Sequence, residues 1–343
     1  MRAAVMRNAG LVVDTLPDPI PREGEVLVRT LACGICGSDL HVLKHADTLV
    51  EVAREIGGPF TMDPRRDVVM GHEFCAEVVE LGPNTTALAQ PGDRVVSMPV
   101  TFRSGAMEAI GYSNEVPGGY GELMALSAGL LLPVPNGLAT EHAALTEPMA
   151  VGVHAVAKAR LEPSDASLVI GCGPVGLAVI AALKLRGADP IVASDFSPAR
   201  RALAERMGAH VIVDPAVRSA FDALREAADT RPAVIFECVG VPGLMRQIMR
   251  EAPLGARLVI AGVCMQDDVI MPMFGINKEL AVQFVLGYTP EEFSSTLQAI
   301  AEGHINVAPL VTGKVGVEGV AQAFAALANP DAHAKILVEP WRS

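Results

Sequence analysis

The chain has 343 residues, 50% of them apolar and 19% charged, so it can bury one large core or two and does not have the composition of a disordered segment. Its net charge is −12 and no basic run exceeds Arg65-Arg66 or Arg200-Arg201, which argues against nucleic acid as a partner. A membrane partner is also not expected: the most apolar stretch, 168–183, has 16 residues and is broken by Gly171, Gly173, Pro174 and Gly176.

The N-terminal MRAAVMRNAGLVVD has no apolar segment leading to a small-residue cleavage site, so no secretory signal is expected. Six cysteines are too few for a disulfide scaffold in a chain of this length. A cytoplasmic location follows as the expectation, and in a reducing compartment cysteine pairs serve metals or catalysis more often than crosslinks.

In chain order, β-branched runs at 25–31, 68–81 and 94–98, separated by Gly, Pro and Asp, predict an antiparallel, partly barrel-like β domain. The first run leads into LACGICGSDLH, residues 31–41, where Cys33 and Cys36 form a C-x-x-C pair. The spacing alone fits a redox dithiol, half of a zinc cage, or two thiols with separate fates. Segment 45–67 follows, with Leu49, Val52, Ala53 and Ile56 at helical spacing on one face. It predicts an extra surface helix packed on the β domain. The alternative is a wall of the substrate pocket, because the segment leaves the chain just after His41.

From Ser167 the rhythm becomes strand, helix, strand, helix. SLVI precedes an apolar helix to Leu185, IVAS precedes a helix over 198–207, and VIV, AVIFE and ARLVIAG continue the alternation. The pattern predicts an α/β unit with about six parallel strands and helices on both faces. ELAVQFVL, 279–286, is its last strand and the edge expected to pair between subunits. The tail from Pro290 reads as a helix followed by short β pieces.

SLVI runs directly into Gly171-Cys172-Gly173-Pro174-Val175-Gly176 and the apolar helix. Placed between strand and helix, these glycines permit a tight turn, close approach of a pyrophosphate, and packing of helix on strand. The helix N-terminus then faces the phosphates. Asp195 stands nineteen residues past Gly176, where a carboxylate accepts hydrogen bonds from the adenosine ribose and repels a 2′-phosphate. The pattern points to NAD over NADP. Arg200 and Arg201 pull the other way, since an arginine here can accommodate that phosphate.

Cys36-Gly37-Ser38-Asp39-Leu40-His41, Gly71-His72-Glu73 and Thr146-Glu147-Pro148 hold the candidate chemistry of the first half. Together with GGYGE at 118–122, EPMAV and GCGPVGL, they make the chain resemble zinc-dependent members of the medium-chain dehydrogenase/reductase superfamily, the alcohol and polyol dehydrogenases. The resemblance runs from Arg2 to about Glu339. It implies a GroES-like β-rich catalytic domain over 1–149 and 289–343, and a Rossmann NAD-binding domain over 150–288. It also implies that Cys36, His72 and Glu147 bind a catalytic zinc, with the fourth position open for substrate. Asp39 matches a carboxylate that orients the histidine ligand, and Glu73 one that assists ligand exchange near the metal. Ser38 and His41 resemble a relay carrying the alcohol proton to solvent. Few such relatives are monomers, so a homodimer or homotetramer is implied.

Two departures stand out. Many relatives hold a second, structural zinc with four cysteines, whereas the corresponding stretch 95–119 has none, so one zinc per chain is expected. Segment 45–67 is also longer than the family leads one to expect. Cys33, Cys75, Cys172, Cys238 and Cys264 are expected to pack as small hydrophobes. Phe60, Met98, Phe102, Met107, Tyr120 and Phe274 are candidates either for an apolar pocket or for the core.

The expected activity is zinc-dependent, NAD-linked oxidation of an alcohol, secondary or polyol-like, to a carbonyl compound and the reverse. Two alternatives are a zinc-free quinone or enoyl reductase of the same superfamily and a non-catalytic dinucleotide-binding protein. The metal-ligand set argues against both.

Overall fold

Two sheets organise the chain in the computed structural model, which describes residues 1–103 and 105–342. The first, of seven strands, has the order Val311–Val315, Lys335–Val338, Glu25–Gly34, Glu73–Leu81, Arg94–Ser97 and Leu131–Pro133, with Leu123–Ser127 also paired to Glu25–Gly34. Its pairings are antiparallel except between the two C-terminal strands. The chain therefore leaves this sheet, builds a second one, and returns to it.

The second sheet has six parallel strands, ordered Val211–Val213, Ile191–Ser194, Ala166–Ile170, Ala233–Glu237, Arg257–Ile260 and Ala281–Phe284. Helices cover both faces of such a sheet, so its inner strands are near-continuous apolar runs. All five residues of Ala233–Glu237 are buried. At the edge, Ala281–Phe284 is exposed throughout, as the strand expected at the sheet's margin.

Helix Pro174–Leu185 is apolar nearly all round because it is covered on two sides, by the parallel sheet and by helix Thr146–Lys158. The two helices touch so closely that a Cβ on Gly152 would lie 2.3 Å from the Ala178 carbonyl carbon. One continuous core runs from Ala32, Cys75 and Val96 through Leu145 and Met149 to Leu177 and Val179. This core brings the start of helix Thr146–Lys158, and with it Glu147, up against the first sheet.

Some expectations hold and others need correction. Segment 45–67 carries the expected extra helix: after a non-helical break at His45, whose φ is −133°, helical residues run on to Ile56, and Ala46, Leu49 and Val50 pack against the core of the β domain. After the kink Ala53 is buried, but Val52 and Ile56 are 48% and 75% exposed, so the predicted apolar face is only partly used. Phe102 and Met107 are exposed on the hairpin Val100–Arg103/Ala106–Ala109, and Tyr120 is fully buried, so the pocket candidates do not converge. Cys33, Cys75 and Cys172 are buried as expected, but Cys264 is exposed and does not pack.

The cysteine-free stretch is held by charge. Arg103 donates from Nε to Glu25 Oε1 at 2.7 Å and from Nη2 to Oε2 at 3.2 Å, while Thr101 donates to Oε1 at 3.3 Å. Arg103 also donates to the Glu115 carbonyl, tying the hairpin to the loop that follows it.

Candidate active site

Cys36 ends the strand Glu25–Gly34 segment and caps helix Gly37–Ile56, where its N–H donates to Asp39 Oδ2 at 3.0 Å. That bond fixes Asp39 in the first turn, completely buried. His72 arrives on the neighbouring strand's approach, just after Gly71. The φ of Gly71 is +102°, and a Cβ there would lie 2.7 Å from the Tyr120 ring, so only glycine brings the chain past at this distance.

Donor atoms of Cys36, His72 and Glu73 lie within 4.8 Å of one another, the one group of three such residues among the described residues. A thiolate, an imidazole and a carboxylate oxygen form a donor set that zinc accepts. His72 Nδ1 is buried without a well-aligned hydrogen bond, and Asp39 Oδ1 lies 3.4 Å away. Asp39 thus stands where a carboxylate orients a metal-binding imidazole. The residues fit the metal.

Asp39 is held from several sides. Tyr120 donates to Oδ2 at 2.6 Å and Tyr112 to Oδ1 at 2.8 Å. Burial alone would raise its pKa, yet charge on His72 and these hydrogen bonds keep it below the usual carboxylate range.

The two glutamates differ in their partners. Glu73, fully buried, receives the Lys335 ammonium at 2.7 Å on both oxygens, so a cation already neutralises it. Glu147 lies outside the 4.8 Å group and accepts a hydrogen bond from Tyr288 at 2.9 Å. Its pKa is pushed up to about 7, first by burial and then by Glu73, against the opposing pull of His72 and the Tyr288 bond. A buried carboxylate in this state gains from a nearby cation. Ser38 and His41 follow on the same helix, and His41 is half-buried with its pKa lowered, chiefly by desolvation.

Cys33 has a separate fate from Cys36. Its thiol is fully buried and its sulfur would lie 2.7 Å from a Cβ on Gly119, so it packs against the Gly118-Gly119 turn. Burial pushes its pKa well up, as expected of an inert thiol.

Sequence reasoning did not single out Lys335, Tyr288 or Tyr112. Lys335 is 262 residues from Glu73, and no local pattern signals such a contact. Tyr120 was visible within GGYGE, but as a pocket candidate and not as a partner of Asp39.

The dinucleotide loop follows strand Ala166–Ile170. A Cβ on Gly176 would fall 1.8 Å from the Gly171 carbonyl oxygen, so the loop closes on its helix only with glycine. Pro174 occupies the first helical turn, where no N–H is needed, and Val175 follows it. Above Gly173 the space is open apart from the Arg200 guanidinium, 3.8 Å from a Cβ placed there. Arg200 Nε is buried without a partner. Asp195 accepts from the Cys172 N–H at 2.7 Å and the Ser197 N–H at 2.8 Å, which locks it beside the loop. Arg201 is spent elsewhere, on the carbonyls of Asp195 and Phe196 and on Asp214.

Family models for the alcohol dehydrogenase GroES-like domain and for zinc-binding dehydrogenases match residues 22–136 and 174–302. The (R,R)-butanediol dehydrogenase of Bacillus subtilis strain 168 is 34% identical over 99% of this chain and the whole of that protein. The chain belongs to the zinc-type medium-chain dehydrogenases. A sorbitol dehydrogenase of the same organism is 29% identical over 100% of this chain and 98% of its own length. Among solved structures, 2R,3R-butanediol dehydrogenase from B. subtilis superposes with a TM-score of 0.84, at 32% identity and with 99% of each chain covered. A putative zinc-binding dehydrogenase from Sinorhizobium meliloti, bound to NADP, gives a TM-score of 0.83 at 26% identity, again with 99% of each chain covered. As a zinc-type medium-chain dehydrogenase, the protein is an oxidoreductase acting on CH–OH donors, with zinc and a nicotinamide dinucleotide as cofactors. Among the described residues no helix is long and apolar enough to cross a membrane.

Proposed function

We propose that the enzyme oxidises a secondary alcohol carrying a neighbouring hydroxyl, a vicinal diol or polyol, to the ketone, reversibly and with NAD as hydride acceptor. The observation that carries this reading is the Cys36–His72–Glu73 group beneath Asp39, in a chain that matches a butanediol dehydrogenase over its full length.

Cys36, His72 and Glu147 are the metal ligands in this reading. Glu73 is held back by its ion pair with Lys335, whereas Glu147 is a buried carboxylate whose pKa is pushed up to about 7, chiefly by burial, and gains from a cation. A zinc ion held by these residues would supply Lewis acidity that lowers the pKa of the substrate hydroxyl. Asp39 keeps His72 turned so that its other nitrogen is free for the metal. Ser38 accepts the hydroxyl proton, and His41, one turn along the helix, delivers a proton to solvent. A nicotinamide dinucleotide held by the glycine loop would supply the hydride acceptor. Asp195 and Arg200 hold the adenosine half of the cofactor, on Gly171, Gly173, Pro174, Val175 and Gly176. The Asp195 carboxylate favours NAD.

The division into 1–149 with 289–343 and 150–288 assigns the ligands to the first unit, except that Tyr288 reaches Glu147 from the end of the second. A cytoplasmic location is part of this reading, supported by the free state of all six cysteines. So is a homodimer formed through the exposed edge strand Ala281–Phe284, with Phe284 69% and Leu286 77% exposed. A panel of vicinal diols, polyols and simple secondary alcohols, assayed for NADH formation beside Cys36→Ser, tests the function. Turnover confined to primary alcohols, or equal turnover in the variant, contradicts it.

A further inference from the structure

Tyr112 belongs to none of the motifs that mark the site, yet its hydroxyl joins two of its groups. Oη lies 2.9 Å from Ser38 Oγ and 2.8 Å from Asp39 Oδ1. The ring is buried, with its centroid 5.3 Å from that of His72, and Phe60 meets it edge-on at 5.6 Å. Phe60 comes from the long segment 45–67, so that segment supports the site through an aromatic contact.

The direction of these hydrogen bonds follows from what each group can donate. Asp39 Oδ2 receives the Cys36 N–H and the Tyr120 hydroxyl, while Oδ1 faces the Tyr112 hydroxyl and His72 Nδ1. A carboxylate ringed by donors only accepts. Tyr112 has a single hydroxyl proton, and Asp39 takes it. Tyr112 therefore presents a lone pair to Ser38, and Ser38 donates.

We propose that Tyr112 is a positioning residue that holds Ser38 as a proton acceptor. With its own hydrogen directed at Tyr112, Ser38 can turn an Oγ lone pair toward the substrate hydroxyl. The inference rests on the reading of Ser38 as the first acceptor of the substrate proton. In that step the substrate O–H breaks as a new O–H forms on Ser38 Oγ. As that proton arrives, the original Ser38 hydrogen swings away from Tyr112 and is given up by way of His41 to solvent. The proton received stays on Oγ and restores the bond to Tyr112, so one proton enters and one leaves. No electrons are transferred. Without the Tyr112 hydroxyl, Ser38 is free to rotate and donate to the substrate oxygen, which favours the protonated alcohol.

The test is proton release, followed with a pH indicator after rapid mixing of the enzyme–NAD complex with a trifluorinated secondary alcohol that resists oxidation. Wild type, Tyr112→Phe, Tyr120→Phe and Ser38→Ala are compared per bound zinc. Tyr112→Phe keeps the ring between Phe60 and His72, and a melting temperature near wild type verifies its fold. Release slowed about tenfold in Tyr112→Phe, with kcat lowered and KM unchanged, is the expected result. Tyr120→Phe removes a donor from Asp39 but none from Ser38, and slows release far less. Equal slowing in both tyrosine variants overturns the proposal, because Asp39 and His72 then explain the loss. Wild-type release in Tyr112→Phe overturns it as well. Wild-type release in Ser38→Ala instead removes the relay reading on which the proposal stands.

Discussion

Lys335 donates to both carboxylate oxygens of Glu73 at 2.7 Å, closing a fully buried ion pair between residues 262 positions apart. The same ammonium donates to the Ile35 carbonyl at 3.1 Å, one residue before Cys36. Burial works against its charge, but Glu73 first, then Cys36 and Glu147, hold its pKa above the ordinary lysine value. The returning C-terminal strand thus pairs its ammonium directly with Glu73, while Glu147 takes its hydrogen bond from Tyr288.

Removing Lys335 strands Glu73 as an unpaired buried charge. Lys335→Met is expected to cost about 3–5 kcal/mol of stability, read from urea unfolding. The double variant Lys335→Met/Glu73→Gln should recover much of that loss, because the stranded charge disappears with its partner. An unchanged unfolding midpoint in the single variant would contradict the pairing.

The motifs that were legible in sequence are those whose parts lie close together in the chain. GICGSDLH puts Cys36, Ser38, Asp39 and His41 at the start of one helix, and GCGPVG joins a strand to a helix. The alternation after Ser167 led to the parallel sheet for the same reason. What could not be read depends on tertiary approach. Tyr112 and Tyr120 meet Asp39 only because the Gly118-Gly119 turn passes over Gly71, and Lys335 reaches Glu73 only through pairing of its strand with Glu25–Gly34. Of the apolar face expected for 49–56, Leu49 and Ala53 meet the β-domain core while Val52 and Ile56 stay exposed, because periodicity marks a face but not how wide a surface is there to cover it.

The Arg103–Glu25 pair makes the cysteine-free stretch sensitive to acid. Burial would raise the Glu25 pKa, but Arg103, the Arg22 N–H and Thr101 outweigh it and leave the value below the usual 4.5. The unfolded chain therefore binds this proton more readily than the folded one. Its contribution to stability is complete above the unfolded value and is lost as pH falls through the lower folded one. Unfolding midpoints measured from pH 6 to pH 3 should decline more steeply in wild type than in Glu25→Gln. Parallel curves would contradict the assignment.

The proposed preference for NAD assigns the discrimination to the Asp195 charge. Asp195→Asn keeps an oxygen for one of the backbone N–H donors of Cys172 and Ser197 while removing the repulsion of a 2′-phosphate. The ratio of kcat/KM for NADP to that for NAD should rise about tenfold or more, helped by Arg200, whose Nε is buried without a partner. A ratio that stays constant would show that Asp195 does not discriminate.

The exposed edge strand gives a direct test of assembly. Phe284→Arg places a charge on strand Ala281–Phe284, where pairing between copies would bury it. Light scattering after size-exclusion should show a smaller species than wild type. An unchanged mass would move the interface elsewhere.

Zinc content measured together with turnover tests the mechanism most directly. Wild-type protein should carry one zinc per chain and oxidise a vicinal diol with NAD, while Cys36→Ser and His72→Ala lose metal and turnover together and keep the wild-type fold by circular dichroism. Retained turnover in metal-free protein would contradict it, because Cys36 and His72 would then hold no metal that the reaction needs.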